Sequence, residues 1–119
     1  MTQPPKHQGL WPALLTPLKA DGTVNLNKLV QHAQKLLDRG CSGVTLFGTT
    51  GEGPSFSTQE RMETLDALIE LGLAPQQLMV HTTCAALPEL ITLTRHATAH
   101  DVHACLLAPP FFMKGVSDE

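Results

Sequence analysis

The residues with the clearest chemical potential lie in a short polar loop that follows an apolar run. The apolar residues 44–47 stop at Gly48, and positions 48–53 read Gly-Thr-Thr-Gly-Glu-Gly. The glycines allow positive φ and let backbone N–H groups turn inward, and Thr49 and Thr50 add two hydroxyls beside them. This combination favours a carboxylate or phosphate as ligand. An ordinary strand-to-helix connection with the same composition is the alternative interpretation.

Three stretches that must position this loop have apolar residues three and four apart, as on one face of an α-helix. Asn25 precedes the first as a cap, Ser57 and Glu60 form a capping box before the second, and Pro88 suits the first turn of the third. Gly40 and Gly72 follow the first two as stop signals. The predicted buried faces are Leu26, Leu29, Val30, Ala33, Leu36 and Leu37; Met62, Leu65, Leu68 and Ile69; and Leu90, Ile91, Thr94, Ala97 and Thr98.

Four apolar segments alternate with these helices and are predicted to be strands, at residues 9–15, 44–47, 78–80 and 104–108. Strands that alternate with helices form βαβ units, which build a parallel sheet. The strand centres recur at intervals of roughly 30 residues, which fits either a (β/α)8 barrel or a doubly wound sheet. The pattern therefore predicts an α/β protein with four parallel strands and three helices. It does not choose between the two architectures.

The composition limits the classes of partner. A chain of 119 residues with a net charge of −3 and 16% charged residues has no basic surface for nucleic acid. The apolar runs are shorter than a membrane span, and the N-terminus does not resemble a signal peptide. Three cysteines, an odd number, are interpreted as reduced thiols. We expect a cytoplasmic protein with a polar tail at residues 1–8 and one domain at 9–119.

The loop, read as Phe-Gly-Thr-Thr-Gly-Glu-Gly, resembles the signature of the dihydrodipicolinate synthase and N-acetylneuraminate lyase family. Two further segments match in order, GLWPALLTP at residues 9–17 and PPFFMKG at 109–115. The resemblance therefore covers nearly the whole chain. It implies a (β/α)8 TIM barrel of which this chain is the N-terminal half, since a complete barrel takes about 250 residues. The chain is in that sense apparently truncated, and its first and fourth strands would be open edges.

The family resemblance also implies the chemistry. Family members cleave or condense pyruvate or related 2-oxo acids through a Schiff base on a lysine of the sixth strand, a position that this chain does not contain. Thr49 and Thr50, with Gly48 and Gly51, would bind the substrate carboxylate, and Thr49 would also take part in a proton relay. No cofactor is implied. None of the chain's lysines is predicted to lie in a strand; they are Lys6, Lys19, Lys28, Lys35 and Lys114.

Two segments depart from the family pattern. Phe111 and Phe112 stand where many dihydrodipicolinate synthases have a tyrosine pair that passes a proton to a neighbouring subunit. Phenylalanine cannot pass a proton, so the resemblance favours a related aldolase or dehydratase specificity, with this pair packing at a subunit contact. The third loop, residues 82–86, lacks the glycines that are usual there. We also expect homo-oligomers or self-association through the open sheet edges.

Histidines on the third predicted helix raise the question of a metal site. His96 and His100 are four residues apart and His103 follows. Neutral imidazoles at that spacing can chelate zinc. The sequence has no H-E-x-x-H motif and no acidic residue between the two helical histidines, so solvated side chains near a helix end are favoured and we expect no metal.

The preferred interpretation is an N-terminal fragment of a Schiff-base lyase or synthase that holds the carboxylate-binding loop without the catalytic lysine. Such a fragment is expected to be inactive alone. Two alternatives remain open at this point. One is a non-catalytic remnant or oligomerising pseudo-enzyme, and the other is a complete small α/β domain that binds an acidic metabolite.

Overall fold

The fold is a three-stranded parallel sheet with three helices. A computed structural model describes residues 9–48, 51 and 53–107. The sheet order is β1-β2-β3, and both strand pairs are parallel. The predicted alternation of strands and helices is therefore confirmed. In chain order, the elements are α1 (Leu26–Asp38), β1 (Val44–Leu46), a 3-10 turn (Gly53–Ser55), α2 (Thr58–Glu70), a second 3-10 turn (Pro75–Gln77), β2 (Leu78–His81), α3 (Leu87–Ala99) and β3 (Ala104–Leu106).

The helix boundaries follow the capping signals of the sequence. The Asn25 side chain accepts a hydrogen bond from the Lys28 backbone N–H at 3.1 Å, which satisfies one free donor at the start of α1. Ser57 and Glu60 form the reciprocal capping box predicted for α2. Gly40 and Gly72 follow the last turns of α1 and α2 with φ of +99° and +108°, a region in which a side chain would be strained.

The core lies between the sheet and the helices. In β2, Leu78 and Val80 are buried, whereas Met79 and His81 are only partly covered. Leu46, Val80 and Cys105 are in register across the sheet, so this row faces the helices together. The buried apolar cluster comprises Leu14, Leu29, Ala33, Val44, Leu46, Phe47, Leu65, Leu68, Leu73, Leu78, Val80 and Ala97.

The buried face of α3 differs from the prediction. Ala97, at 1% exposure, is buried as predicted, but Leu93, which was not predicted, is also buried at 4%, whereas Ile91 is 40% exposed. Thr98, which was predicted on the buried face, is exposed. Apolar residues occur on more than one side of this helix, so the period alone did not identify the side that packs on the sheet. None of the helices described between residues 9 and 107 is both long and apolar enough to cross a bilayer.

The first predicted strand, residues 9–15, is reduced to a single bridge. Ala13 pairs in parallel with Thr45, through hydrogen bonds from Leu14 N–H to the Thr45 carbonyl and from Thr45 N–H to the Pro12 carbonyl, both 2.9 Å. The ladder does not continue because Phe47 leaves the strand direction with a φ of +63°. The segment still occupies the place of a strand beside β1. Of the fourth predicted strand, Ala104–Leu106 is confirmed, and residue 108 lies outside the described residues.

Candidate functional site

The candidate site lies where β1 ends, at the carboxyl edge of the sheet. Phe47, which is 3% exposed, takes a left-handed φ of +63° immediately before Gly48. A bulky residue rarely adopts this conformation, and it persists only where surrounding contacts fix it. Such contacts are present, because the Phe47 ring packs edge-on against Phe56 with the centroids 6.1 Å apart. The chain thus makes a sharp, packed corner at this edge.

Three glycines after this corner lie so close to other atoms that a side chain would not fit. A Cβ on Gly48 would lie 2.9 Å from Nε2 of His81, and one on Gly51 would lie 2.7 Å from the carbonyl oxygen of Leu14. A Cβ on Gly53 would collide with the Phe47 carbonyl. All three glycines are buried. Here, then, glycine is required by close approach rather than by backbone flexibility alone.

Two hydrogen bonds hold the loop closed. The Gly53 N–H donates to the Gly48 carbonyl at 3.0 Å, which brings the two ends of the loop together. The Thr16 hydroxyl donates to the Gly51 carbonyl at 2.5 Å, and this threonine is 9% exposed. Thr16 belongs to the segment that pairs with β1. The first segment of the chain and the glycine loop are therefore joined into one unit.

A buried arginine of α2 donates hydrogen bonds to the backbone at the same edge of the sheet. Arg61, in the first turn of α2, is 4% exposed. Its guanidinium donates to the carbonyls of Thr83, at 3.1 Å, and His81, at 2.5 Å, and it lies 5.6 Å from the centre of the Phe47 ring. The Nε atom is buried and has no hydrogen-bond partner in the part of the chain that the structure describes. Burial lowers the pKa of Arg61, but an arginine retains its proton in a protein.

His81 lies between this cation and the glycine loop. Burial and then the charge of Arg61 lower the pKa of His81 from its ordinary value of 6.5. The imidazole next to Gly48 is therefore neutral at neutral pH. The positive charge available to an incoming anion at this edge comes from Arg61, assisted by backbone N–H dipoles.

The structure covers the predicted site residues only in part. Gly48 and Gly51 lie at the carboxyl edge of the sheet, whereas Thr49, Thr50, Phe111 and Phe112 lie outside the described residues. The prediction that the two threonines bind a carboxylate stays a prediction. The described lysines, Lys19, Lys28 and Lys35, are all exposed and lie in the loop before α1 or on α1.

Sequence reasoning missed Arg61. A signal was available, because Arg61 is four and seven residues before Leu65 and Leu68 and so lies on the apolar face of α2. A cation in that register must find acceptors inside the protein. Thr16, which follows the first predicted strand, was assigned no role from the sequence.

The helical histidines do not contribute to this edge. His103, the third histidine of the sequence-based metal hypothesis, stacks on Trp11 with ring centroids 4.3 Å apart. Its backbone N–H donates to the Leu78 carbonyl at 2.9 Å, at the start of β2 and hence at the opposite end of the sheet. His96 and His100 lie on α3, where both contact Asp66.

Comparison with known proteins places the chain in a family. The model of the dihydrodipicolinate synthetase family matches residues 6–119. An uncharacterized DapA-like lyase from Chloroflexus aurantiacus is 41% identical over 108 residues, which cover 90% of this chain and 36% of that protein. N-acetylneuraminate lyase from Pongo abelii is 32% identical over 111 residues, which cover 92% of this chain and 35% of that protein.

Solved structures agree with the sequence match. Dihydrodipicolinate synthase from Agrobacterium tumefaciens superposes with a TM-score of 0.85 at 37% identity, over 91% of this chain and 38% of that one. N-acetylneuraminate lyase from Proteus mirabilis gives 0.82 at 32% identity, over 95% of this chain and 38% of that one. These neighbours are TIM barrels, so the barrel rather than the doubly wound sheet is confirmed. The chain spans 35–38% of the length of these four relatives and corresponds to their N-terminal part. It belongs to the dihydrodipicolinate synthetase family.

Proposed function

We propose that this chain forms the carboxylate-binding part of a lyase or synthase that acts on pyruvate or a related 2-oxo acid through a Schiff base. The observation that carries the proposal is the glycine loop at the carboxyl edge, closed by the 3.0 Å bond from Gly53 to Gly48. Active sites of barrel enzymes lie at this edge. A loop in which glycine is required by close packing, and whose sequence places two threonines between the glycines, suits a carboxylate.

In this proposal, Gly48, Thr49, Thr50 and Gly51 bind the carboxylate. Backbone N–H groups donate to its oxygens, and the threonine hydroxyls add two further donors. Thr49 also relays a proton to or from the reacting carbon centre. The support for this proposal is that the glycines on either side of the threonines are buried and packed against His81 and Leu14.

The charge distribution of the edge also supports an anionic substrate. Arg61 places a buried positive charge 5.6 Å from the Phe47 ring, immediately behind the loop. His81 is neutral at neutral pH because its pKa is lowered, so it adds no charge that would vary there with pH. An electrostatic attraction of this kind acts over several ångströms in a partly buried site. It favours 2-oxo acids over neutral carbonyl compounds.

The nucleophilic amine is proposed to lie outside this chain. The three described lysines, Lys19, Lys28 and Lys35, are all exposed. A lysine that forms a Schiff base needs a lowered amine pKa, which comes from burial or a neighbouring cation. We therefore expect the chain alone to bind a 2-oxo acid without forming a covalent adduct.

Equilibrium dialysis with radiolabelled pyruvate tests the binding part of the proposal. Saturable binding is expected, and unlabelled pyruvate should displace it while methyl pyruvate, which lacks the charge, should not. Thr50→Val should weaken binding by about tenfold, because it removes a donor to a charged group. Thr92→Val, on the exposed side of α3, is the matched control. Equal competition by the ester, or binding that Thr50→Val leaves unchanged, would contradict the proposal.

Borohydride reduction in the presence of pyruvate tests the covalent part. Mass spectrometry of the treated chain should show no added pyruvate mass on any lysine. A stoichiometric adduct on one lysine would show that this chain contains its own nucleophile. That result would overturn the inactive-fragment interpretation while leaving the carboxylate site intact.

We also propose that the chain self-associates through the edge of the sheet. Among the described residues, β3 has a strand partner on one side only, and Leu107 beside it is 57% exposed. An unpaired edge offers backbone groups to another strand. Sedimentation at increasing concentration should show dimers or larger species. A monomer throughout the micromolar range would favour the alternative of a self-contained small domain.

The three described cysteines are free thiols. This state supports the proposal that the protein works in a reducing, cytoplasmic compartment.

A further inference from the structure

A second cluster of chemically capable side chains lies on the outer surface, between α2 and α3. His96 and His100 are one helical turn apart on α3, and both direct Nε2 at the same oxygen of Asp66 on α2, at distances of 2.7 and 2.6 Å. One potential ligand atom from each of the three residues lies within 4.8 Å of the others. The two imidazole rings meet edge to face, with centroids 4.9 Å apart.

This cluster is separate from the candidate active site. His100 is the C-cap of α3, and a helix that joins two parallel strands runs back toward their starting ends. The cluster therefore lies toward the amino end of the sheet, away from the glycine loop. Solvent reaches it, because the side chains of His96, His100 and Asp66 are 21%, 31% and 50% exposed. A function of this cluster would therefore not depend on binding of the 2-oxo acid proposed above.

The donor set matches one class of cation. Two imidazole nitrogens four residues apart on a helix, joined by a carboxylate oxygen, are borderline ligands that suit zinc, cobalt, nickel or copper better than calcium or magnesium. Sequence analysis rejected a metal because no acidic residue stands between the histidines. The acidic partner is present, but it comes from the neighbouring helix.

Only a small movement separates the present arrangement from coordination. Zinc bonds of about 2.05 Å in a tetrahedron place ligand atoms about 3.3 Å apart. The Asp66 oxygen is 2.6–2.7 Å from each nitrogen, so it must retreat by roughly 0.7 Å from both. A half-exposed aspartate can do this by rotating its side chain. The ligand atoms of the two histidines lie within 4.8 Å of each other, so rotation of these side chains must also bring them to about 3.3 Å.

The proton count is also satisfied. An ionised carboxylate only accepts hydrogen bonds, so each Nε2 carries the proton in the metal-free form. For a metal to bind, the proton on each Nε2 leaves to solvent, which exposes the lone pair that coordinates the ion. No oxidation or reduction is involved.

We propose that Asp66, His96 and His100 form a three-ligand surface site for a divalent transition-metal ion, with water completing the coordination. The bound ion links α2 to α3. Because water completes the coordination, the site is open to exchange rather than a closed structural centre. In the absence of metal, the same three residues serve as a hydrogen-bonded clasp between the two helices.

Cobalt titration of the full chain at neutral pH tests this site. We expect saturable binding of about one ion per chain, competed by zinc, with a weak visible spectrum typical of nitrogen and oxygen ligands. His96→Gln and His100→Gln should each lower the affinity at least about tenfold, since loss of a ligand weakens binding no less than loss of a supporting residue. His32→Gln, an exposed histidine on α1, is the matched control and should bind as the unmodified chain does.

Several outcomes would overturn the proposal. A strong near-ultraviolet thiolate band would place the ion on cysteine instead. Binding that both glutamine variants leave unchanged would place it elsewhere, and no saturation below about 1 mM metal would reduce the cluster to a hydrogen-bonded clasp only. Asp66→Asn guards against misfolding, because its amide oxygen can still accept a hydrogen bond. It should fold normally and bind metal more weakly.

Discussion

The carboxyl edge of the sheet and the surface cluster between α2 and α3 both contain polar groups, but they are held in different ways. At the edge, Arg61 and Thr16 are buried and donate to backbone carbonyls. In the cluster, Asp66, His96 and His100 are partly exposed and bond side chain to side chain. Backbone acceptors are fixed by the fold, whereas exposed side chains can change rotamer and partner. The groups at the edge are therefore fixed by the fold, whereas those of the cluster can rearrange.

Arg61→Met should have the largest effect on stability. The change leaves the carbonyls of His81 and Thr83 without their charged donor, and each such bond is worth about 1.5–3 kcal/mol. We expect the free energy of unfolding in urea to fall by about 3 kcal/mol. Arg95→Met, an exposed arginine on α3, should stay within about 0.5 kcal/mol of the unmodified chain. Equal effects of the two changes would remove the distinction between a fixed edge and an ordinary surface.

Gly53→Ala should have the second-largest effect on stability. Its methyl group would collide with the Phe47 carbonyl, and relief of that overlap requires the loop to move. Overpacking of this kind costs about 2 kcal/mol. Gly22→Ala is the control because a Cβ there meets no atom within 4 Å, so only the cost of its φ of +91° remains. A smaller loss for Gly53→Ala than for Gly22→Ala would show that the loop is not tightly packed.

The free energy of unfolding should also depend on pH through a residue of the edge, with a smaller effect than either substitution above. Because the pKa of His81 is lowered in the folded state, the unfolded chain binds a proton first as the pH falls through 6.5. The contribution of neutral His81 to the free energy of unfolding is thus fully present above pH 6.5 and is lost as the pH falls below that value. Urea unfolding between about pH 7.5 and about pH 5.5 should show a decline that His81→Gln reduces. His32→Gln should retain the full decline, and an identical decline in His81→Gln would contradict this assignment.

The smallest change in stability is expected in the cluster. Metal-free Asp66→Asn should lose no more than about 0.5 kcal/mol, because partly exposed ion pairs contribute little. Urea unfolding in the presence of a chelator measures this value. A loss as large as that of Arg61→Met would show that the clasp, and not the edge, is the more rigid of the two regions.

The sequence predicted well those features that depend on neighbouring residues. The Asn25 cap, the Ser57–Glu60 capping box and the glycines after α1 and α2 act over one helical turn, so local chemistry was sufficient. The length of the first strand was not predictable in this way. It depends on the positive φ of Phe47, a residue more than thirty positions away, which stops the ladder.

Features that depend on packing between elements were missed. Asp66 is 30 and 34 residues from its two histidines, and only the contact of α2 with α3 brings them together. Arg61 finds its carbonyl acceptors 20 and 22 residues away. The buried side of α3 was misassigned because the helix carries apolar residues on several sides. The spacing of apolar residues along one helix cannot identify which residue of another helix or strand will contact it.

Amide NMR of the nitrogen-labelled chain during titration with pyruvate tests the central claim most directly, because each backbone donor of the loop reports separately. The account predicts saturable shifts that are largest at Gly48 and Gly51 and smaller at His81, with no comparable shifts at His96 or His100. Shifts of equal size at the surface cluster, or none at the glycine loop while the chain remains folded, would contradict it.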